Sequence, residues 1–319
     1  MNGGGRGTRK LSGDRAPAKP GALTHLTETL YWRAMVTPRW RMIVCDLDGT
    51  LIDQDHQVLE ADRRALVLAR DAGLHVAVCT GRSLRESASI LKALPLSGLG
   101  IFVTGAAIGD MAGGPLVLRR PLEPKLVRQL IDFFGRLGHA VLLLIDDGSA
   151  AGAHYVITSH GPVHAATTEW LLRNRLDAAI DDGPNPKLLA GVVRVGIVAD
   201  SDASRRIKAA LRRRFNRRIT FHCIRAPRLD SLVIEVFAAG VNKWTGVEAL
   251  CQLLRIASHR VVTIGNDLND LPMLRRAALS FAMGDASQQV KNAAKRVTGP
   301  HQAAGVAAAI NQVLANPAL

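Results

Sequence analysis

Short apolar runs alternate with helical patterns in the first part of the chain, and this alternation limits the possible folds more than any other feature. Patterns typical of helices lie at 61–72 and 83–94, between and after the first two runs. The apolar residues are continuous within each run, which is typical of parallel strands covered on both faces. The order predicts a βαβαβ unit and therefore an α/β fold. The runs are MIVCDL (42–47), HVAVCT (75–80) and GIFVTG (100–105).

The middle of the chain has a different pattern, and the first pattern returns after it. A helical pattern at 119–138 is followed by several short strand patterns and two more helices, a mixture typical of α+β structure. We therefore predict a Rossmann-like, doubly wound parallel-sheet core formed by 39–117 and 229–319. An inserted α+β cap domain is predicted at 118–228, and a domain joined by two linkers can act as a lid over a site in the core.

Composition excludes several classes of protein. The chain has 319 residues, which is enough for two domains. The longest apolar run, 140–145, is far shorter than the roughly 18–20 residues of a membrane helix. The N-terminal region has no apolar stretch typical of a secretion signal, and the four cysteines show no metal or disulfide spacing. We predict a cytoplasmic protein without a membrane partner.

The chain is strongly basic, with a formal net charge of +14. Residues 1–38 are rich in Gly, Pro and Arg, and we predict a disordered basic N-terminal arm there. Eight further Lys and Arg residues lie between Arg205 and Arg218 without an acidic residue. No nucleic-acid motif accompanies this charge, so we interpret it as a solvated face. Binding of nucleic acid, or of a second acidic group of a substrate by cap arginines, stays as an alternative.

Polar residues cluster where the predicted strands of the core end. In an open parallel sheet, ligands bind beyond the carboxyl ends of the strands. The candidate site residues are Asp46 and Asp48 after the first strand, Thr80, Gly81 and Arg82 after the second, Lys243 at the start of a helix, and Asn266, Asp267, Asn269 and Asp270 after the strand at 260–265.

These residue types suit phosphoryl transfer. Several carboxylates directed at one place repel each other, so a hard divalent cation is expected to screen them, and oxygen ligands favour Mg²⁺. One carboxylate can attack phosphorus to form an aspartyl phosphate, and a second can transfer the protons. A threonine hydroxyl and a lysine ammonium can hold the phosphate oxygens. A small phosphorylated molecule is the expected partner.

Four motifs carry a resemblance to a known family. DLDGTL at 46–51, TGR at 80–82, the isolated Lys243 and GNDLND at 265–270 are similar, in type and order, to the motifs of the haloacid dehalogenase-like hydrolases. Because the long insertion lies between the second and third motifs, the chain resembles the Cof-type (type IIB) branch, whose members are mostly phosphatases of small metabolites. The resemblance covers roughly residues 41–315.

The resemblance implies a role for each motif. It makes Asp46 the nucleophile and first metal ligand, and Asp48 the general acid and base, with its main-chain carbonyl on Mg²⁺. Thr80 and Lys243 are implied to bind the transferring phosphoryl group. Gly81 and Asn269 are expected beside them, and Arg82 is expected to contact substrate or lid.

The last motif departs from the family pattern. The branch usually reads G-D-x-x-N-D, whereas this chain has Asn266 at the first acidic position and an additional acid, Asp267, after it. Either the Asn266 oxygen or the Asp267 carboxylate is expected to complete the metal site, and Asp270 matches the pattern in both cases.

The sequence therefore predicts an Mg²⁺-dependent phosphatase of a small phosphorylated metabolite, such as a sugar phosphate or phosphorylated cofactor, acting through an aspartyl phosphate. Two alternatives stay open. One is a phosphotransferase or phosphomutase with the same chemistry, and the other is a non-catalytic descendant that binds nucleic acid through the basic arm and the cap arginines.

Overall fold

The computed structural model describes residue 1 and residues 39–146, 154–158, 161–225 and 231–316. The predicted disordered arm at 1–38 lies outside the described residues, apart from Met1. No helix in these ranges combines the length and apolar character needed to cross a membrane.

The described strands and helices follow one another in mixed α/β order. The strands are β1 Met42–Cys45, β2 His75–Val78, β3 Leu99–Phe102, β4 Ala107–Asp110, β5 Leu116–Arg119, β6 Leu142–Ile145, β7 His154–Ile157, β8 Ala178–Ile180, β9 Val192–Asp200, β10 Ile219–Arg225, β11 Ser231–Ala238, β12 Val261–Gly265, β13 Leu279–Ala282 and β14 Arg296–Val297. The helices are α1 Glu60–Asp71, α2 Leu84–Ala93, α3 Pro124–Arg136, α4 Ala165–Arg173, α5 Pro186–Leu189, α6 Ser201–Phe215, α7 Lys243–Leu254, α8 Leu271–Arg276, α9 Gln288–Lys291 and α10 Gly305–Ala315.

The first sheet is entirely parallel and confirms the predicted core class. Its strand order is β14-β13-β12-β1-β2, so β1 lies between β12 and β2. All four residues of β1 are buried, as expected for a strand covered on both faces. The carboxyl ends of β12, β1 and β2 therefore lie side by side.

The third predicted parallel strand, 100–105, is only partly correct. β3 touches the parallel sheet through a single parallel bridge between Cys79 and Ile101. Its longer pairing is antiparallel to β4, which in turn pairs with β5 in a separate three-stranded sheet. The chain turns back because Val103 and Thr104 both adopt positive φ angles, which end the strand.

A six-stranded mixed sheet, with strand order β10-β11-β9-β6-β7-β8, contains all the strands between β5 and β12. Its two faces have different neighbours. Leu144, Tyr155 and Phe237 lie in the same hydrophobic cluster as β1 and β12, and we call their side the inner face. Val195 and Ile234 lie in a second cluster with α3 and α6, on the outer face.

The boundaries of the cap, at 118 and 228, stay a prediction. β5 runs across the first boundary, and the second lies among residues outside the described ranges.

The basic segment forms α6 on the outer face of the mixed sheet. Ile207, Leu211 and Phe215 bury one side of this helix in the outer cluster, while Arg206 and Arg213 are exposed. The mixed sheet therefore separates these arginines from the parallel sheet. The arginines of α6 lie on the opposite face from the strand ends. The alternative that cap arginines bind a second acidic group of the substrate therefore stays a prediction for the other arginines of the cap.

Candidate active site

The carboxyl ends of three adjacent strands bring together residues from three of the predicted motifs. Asp46 follows β1 and donates its main-chain N–H to Ile264 of β12 at 2.9 Å. Thr80 follows β2, and Asn266 follows β12. The parallel pairing of these strands places the three residues at one edge of the sheet, as the sequence predicts.

Lys243 lies at the centre of this edge, between two carboxylates. Its Nζ donates to Oδ1 of Asp46 at 2.5 Å and to Oδ1 of Asp270 at 2.6 Å. The side chains of Lys243 and Asp270 are fully buried, and that of Asp46 is 6% exposed. Because Lys243 is the first residue of α7, the N-cap side chain of Asn242, which accepts from Thr245 N, fixes its position.

The charges in this buried group do not balance. Burial lowers the pKa of Lys243, but the charges of Asp270 and Asp46 outweigh it and hold that pKa well above its usual range. Burial raises the pKa of Asp46, and the charge of Asp270 raises it further. One ammonium therefore faces two buried carboxylates, and a further cation at this place is electrostatically favoured.

Asp270 organises the last motif. Its Oδ2 accepts the main-chain N–H groups of Asn266 and Asp267, each at 2.9 Å, while its Oδ1 binds Lys243. A side chain at Gly265 would collide with this carboxylate at 2.6 Å, so only glycine fits there. Both oxygens of Asp270 are engaged within the protein, which favours a role in positioning Lys243 and the loop. Its role as a metal ligand stays a prediction.

The structure places Asn266 and Asp267 differently. Asn266 Oδ1 accepts from the hydroxyl of Thr50 at 3.1 Å, and its Nδ2 would lie 2.3 Å from a Cβ at Gly49. Gly49 has a φ of 75°, so both its backbone and this close approach require glycine. Asp267 is exposed, and its Oδ1 accepts from Leu268 N at 2.7 Å as a helix cap. Asn266 thus contacts the first motif, whereas the Asp267 side chain caps the following turn. Which of the two completes the metal site stays a prediction.

Asp48 is held by Arg82 at the open side of the site. Arg82 Nε donates to Asp48 Oδ2 at 2.9 Å and Arg82 Nη2 to Oδ1 at 2.6 Å, a two-point contact. Arg82 Nη2 also lies 2.9 Å from Nε2 of His56. The Asp48 side chain is 51% exposed, in contrast to the buried Asp46. His56 is absent from the sequence prediction, because a histidine in a polar loop carries no local signal.

The Thr80 hydroxyl can donate a hydrogen bond to a ligand. Thr80 Oγ1 accepts the main-chain N–H of Arg82 at 3.1 Å, so its own hydroxyl hydrogen is available to another acceptor. The Gly81 carbonyl accepts a hydrogen bond from Arg194 of the mixed sheet. Asn269 Oδ1 is buried and finds no hydrogen-bond partner in the described part of the chain. Its predicted contact with the phosphate stays a prediction.

A buried arginine connects the inner face of the mixed sheet to the site. Arg194 of β9 donates from Nη1 to the Gly81 carbonyl at 2.9 Å and from Nη2 to the Tyr155 hydroxyl at 2.8 Å. Its Nη1 lies 2.9 Å from Glu235 Oε1, and Glu86 Oε1 is 3.8 Å from its Nη2. Arg194 and Glu235 are absent from the sequence prediction. Each is a single charged residue inside an otherwise apolar run, VVRVGIV for Arg194 and LVIEVF for Glu235, and this pattern is the signal that points to them.

His222 of β10 also faces the site from the inner face. It pairs across the sheet with Glu235, and β10 contacts the turn at Leu268–Asp270. Its Nε2 is buried without a hydrogen-bond partner among the described residues. Burial, and then the charge of Lys243, lower the pKa of His222 to about 4. The imidazole is therefore neutral at pH 7.

His222 makes the folded protein sensitive to acid. Because its pKa is lower in the folded than in the unfolded state, the unfolded state binds the proton first, and stability falls as the pH drops from about 6.5 towards 4. Urea unfolding at both ends of this window measures the free energy of unfolding. Between about pH 6.5 and pH 4, wild type should lose up to about 3 kcal/mol more of it than His222→Gln. His259→Gln, at an exposed position, should lose as much as wild type. Equal losses in all three proteins would contradict the account.

The oxygen-rich donor set fits Mg²⁺. Within the described ranges, no group of three or more His, Cys, Asp or Glu side chains surrounds a common metal position. Mg²⁺ does not need such a cage, because it keeps several waters and shares oxygens with one or two carboxylates and a substrate phosphate. The excess negative charge of Asp46 and Asp270 over Lys243 is the observation that favours a cation here.

Comparison with known proteins agrees with this site. Residues 43–310 match the haloacid dehalogenase-like hydrolase family. The chain is 27% identical over 271 residues to the 5-amino-6-(5-phospho-D-ribitylamino)uracil phosphatase YcsE of Bacillus subtilis, covering 85% of this chain and 94% of that protein. It is 27% identical over 286 residues to the HMP-PP phosphatase of Yersinia pseudotuberculosis, covering 88% of this chain and 97% of that protein.

A solved structure supports the same fold. The chain superposes on the phosphatase BT1666 of Bacteroides thetaiotaomicron with a TM-score of 0.71 at 20% identity, covering 87% of this chain and 96% of that one. At this identity the likeness shows the fold alone. Because the family match spans most of the chain and contains all four motifs, the chain belongs to the haloacid dehalogenase-like hydrolases, in their Cof-type branch, and is a hydrolase.

Proposed function

We propose that this hydrolase is an Mg²⁺-dependent phosphatase that removes phosphate from a small metabolite through an aspartyl phosphate on Asp46. The observation that carries the proposal is the buried contact of Lys243 with Asp46 and Asp270 at the ends of β1 and β12. The two curated relatives are phosphatases of phosphorylated metabolites, which supports the same class of substrate here.

Asp46 and Lys243 carry the first half of the proposed reaction. A carboxylate oxygen of Asp46 forms a bond to phosphorus while the bond from phosphorus to the leaving oxygen breaks. Lys243 Nζ and the free hydroxyl hydrogen of Thr80 bind the non-bridging oxygens as their charge rises. The charge of Lys243 lowers the pKa of Asp46 and so partly offsets the larger increase that burial and Asp270 cause, which favours the ionised nucleophile.

Asp48 carries the proton transfers. It gives a proton to the leaving oxygen in the first step, and then removes one from the water that attacks the aspartyl phosphate. That second step releases phosphate and restores the Asp46 carboxylate. Because Arg82 donates to both carboxylate oxygens of Asp48, Arg82 must loosen its contact before Asp48 can reach the leaving oxygen.

Asp46, the main-chain carbonyl of Asp48 and the Asn266 amide oxygen would hold Mg²⁺. When bound, this ion supplies screening between the carboxylates and the incoming phosphate. The Oδ1 of Asn266 currently accepts from Thr50, so it already faces the side of the site that contains the main chain of the first motif.

The proposal is tested by phosphate release. The purified chain is incubated with p-nitrophenyl phosphate and a panel of phosphorylated metabolites, with and without Mg²⁺, and inorganic phosphate and substrate loss are measured together. If the chain is a phosphatase, the rate of phosphate release should equal the rate of substrate loss, and both should depend on Mg²⁺. Substrate loss without phosphate release would instead indicate a phosphotransferase or mutase, and no reaction in any assay would contradict the proposal.

The Asn266 position should limit Mg²⁺ affinity. Asn266→Asp adds a carboxylate to the donor set, and we expect Mg²⁺ to bind about tenfold more tightly, because affinity rises with ligand charge. Asp267→Asn is the matched control, since the Asp267 side chain caps a helical turn, and its Mg²⁺ affinity should stay within about twofold of wild type. Isothermal titration calorimetry measures both. A large loss of affinity in Asp267→Asn would show that Asp267 is the ligand.

A further inference from the structure

The turn formed by TGR at 80–82 has three main-chain carbonyl groups, and different parts of the molecule hold them. The first and the last accept main-chain N–H groups of the segment after β3, from Thr104 and Val103, each at 2.9 Å. The middle one, that of Gly81, accepts from Nη1 of Arg194 at 2.9 Å. One peptide of the phosphate-binding motif is therefore held by a side chain of the mixed sheet.

This peptide, between Gly81 and Arg82, connects Arg194 to the Thr80 hydroxyl. A peptide group is planar, so a contact that fixes its carbonyl also fixes the direction of its N–H. The carbonyl accepts from Arg194, and the N–H on the other side of the same plane donates to Thr80 Oγ1 at 3.1 Å. Because Thr80 Oγ1 accepts here, the hydroxyl keeps its own hydrogen for a phosphate oxygen.

A second connection reaches the other end of the turn through Glu86. Glu86 is the third residue of α2, and its Oε2 accepts the main-chain N–H of Ser83, the N-cap of that helix. Its Oε1 lies 3.8 Å from Nη2 of Arg194. Arg194 therefore contacts the motif directly at Gly81 and, through a charge, at the residue that follows Arg82.

Arg194 is itself held in one position, as a positioning residue must be. Its side chain is buried, with Glu235 Oε1 2.9 Å from Nη1 and the Tyr155 hydroxyl 2.8 Å from Nη2. Burial lowers the pKa of Arg194, but Tyr155 and the two carboxylates outweigh burial, and the guanidinium stays charged. A planar guanidinium holds its N–H groups at fixed angles, so these contacts direct one of them at the Gly81 carbonyl.

We propose that Arg194 is a positioning residue for phosphoryl transfer, because it fixes the peptide that sets the Thr80 hydroxyl to donate to a phosphate oxygen. This inference rests on the proposed phosphatase function and adds a residue of the mixed sheet to its machinery. Arg194 acts through the peptide between Gly81 and Arg82, without a contact of its own to the substrate.

Arg194→Met tests this role with p-nitrophenyl phosphate and Mg²⁺. Because the hydroxyl matters most where charge develops on the phosphoryl oxygens, kcat should fall at least about tenfold while KM stays within about threefold. Arg194→Lys keeps the charge beside Glu235 and Glu86 but lacks the planar fork, so it should fold and recover only part of kcat. The matched control is Arg128→Met, since the exposed Arg128 also donates to a main-chain carbonyl, that of Pro184, and its kcat should equal that of wild type.

A double-mutant cycle with Thr80→Val separates positioning from a purely structural role. If Arg194 acts through the Thr80 hydroxyl, it has nothing left to position once that hydroxyl is absent. The loss of kcat caused by Arg194→Met should therefore shrink from at least about tenfold to within about twofold in the Thr80→Val background. A purely structural contact would give the same loss in both backgrounds, and that result would overturn the proposal.

Urea unfolding and circular dichroism establish that each variant is folded. If Arg194→Met does not fold, because two carboxylates lose their cation, Arg194→Lys takes its place in the cycle. Its loss of kcat should likewise be smaller in the Thr80→Val background than in wild type. An equal loss in both backgrounds would overturn the proposal here too.

The outcomes separate this inference from the phosphatase function. If wild type releases no phosphate from p-nitrophenyl phosphate or from the metabolite panel, the phosphatase function is wrong, and the inference fails with it. If wild type is active and folded Arg194→Met keeps the wild-type kcat, the phosphatase function stands and Arg194 has no positioning role.

Discussion

Asp46→Asn should lower phosphate release by at least about 10⁴-fold, because the amide cannot attack phosphorus. The fold should persist. The carboxylate of Asp46 is destabilised by burial and by Asp270, and removing its charge leaves Lys243 and Asp270 as a one-to-one pair. We therefore expect the free energy of unfolding at pH 8 to be equal to or higher than that of wild type, as is common where function conflicts with stability.

The raised pKa of Asp46 determines how the stability change in Asp46→Asn depends on pH. A carboxyl whose pKa is higher in the folded state destabilises that state above its pKa, so any gain from Asp46→Asn should fade as the pH falls. Asp285→Asn changes an exposed carboxylate and is the matched control, which should keep wild-type turnover. Full activity in Asp46→Asn, measured as phosphate release with Mg²⁺, would contradict the assignment of the nucleophile.

Lys243→Met should destabilise the protein by about 3–5 kcal/mol at pH 8, because it leaves two buried carboxylates without their cation. The Nζ of Lys243 contacts both Asp46 and Asp270, and both carboxylates are buried away from solvent. Loss of turnover is expected as well, since the phosphate oxygens lose their ammonium partner. Urea unfolding at pH 8 and at pH 5.5 measures the stability.

The pH dependence distinguishes lost charge from lost packing. Without the ammonium, the pKa of Asp46 lies further above that of the unfolded chain, because Lys243 lowers it in wild type. The penalty is complete above the folded-state pKa and is relieved as the pH falls below it, so the difference in the free energy of unfolding between Lys243→Met and wild type should shrink at pH 5.5. Adding Asp46→Asn to Lys243→Met should recover much of the stability. Lys125→Met, on the exposed side of α3, should leave the free energy of unfolding unchanged at both pH values. A difference between Lys243→Met and wild type that does not change with pH would contradict the electrostatic account.

The parallel core and the edge where the motif residues meet were predictable because their signals are local. Each strand that positions a motif is a continuous apolar run, and β1, β2 and β12 begin and end within two residues of the predicted bounds. The acids follow these runs directly in the sequence. Parallel pairing then places them side by side without further information.

The remaining features depend on contacts between distant parts of the chain. Arg194 meets the Gly81 carbonyl across 113 residues, and no short pattern encodes that meeting. The position of Asn266 against Gly49 and Thr50 also links distant segments. The antiparallel pairing of β3 depends on the two positive φ angles that follow it, and Val and Thr are residues that rarely adopt them.

The most direct test of the account is to trap the phosphoryl group on the chain. Wild type is mixed with Mg²⁺ and p-nitrophenyl phosphate, quenched in acid during turnover, and digested for mass spectrometry. The account predicts a phosphoryl group on the peptide that contains Asp46, removed by hydroxylamine and absent from Asp46→Asn. Turnover with no phosphoryl group on the chain, or with the group on a different residue, would contradict it.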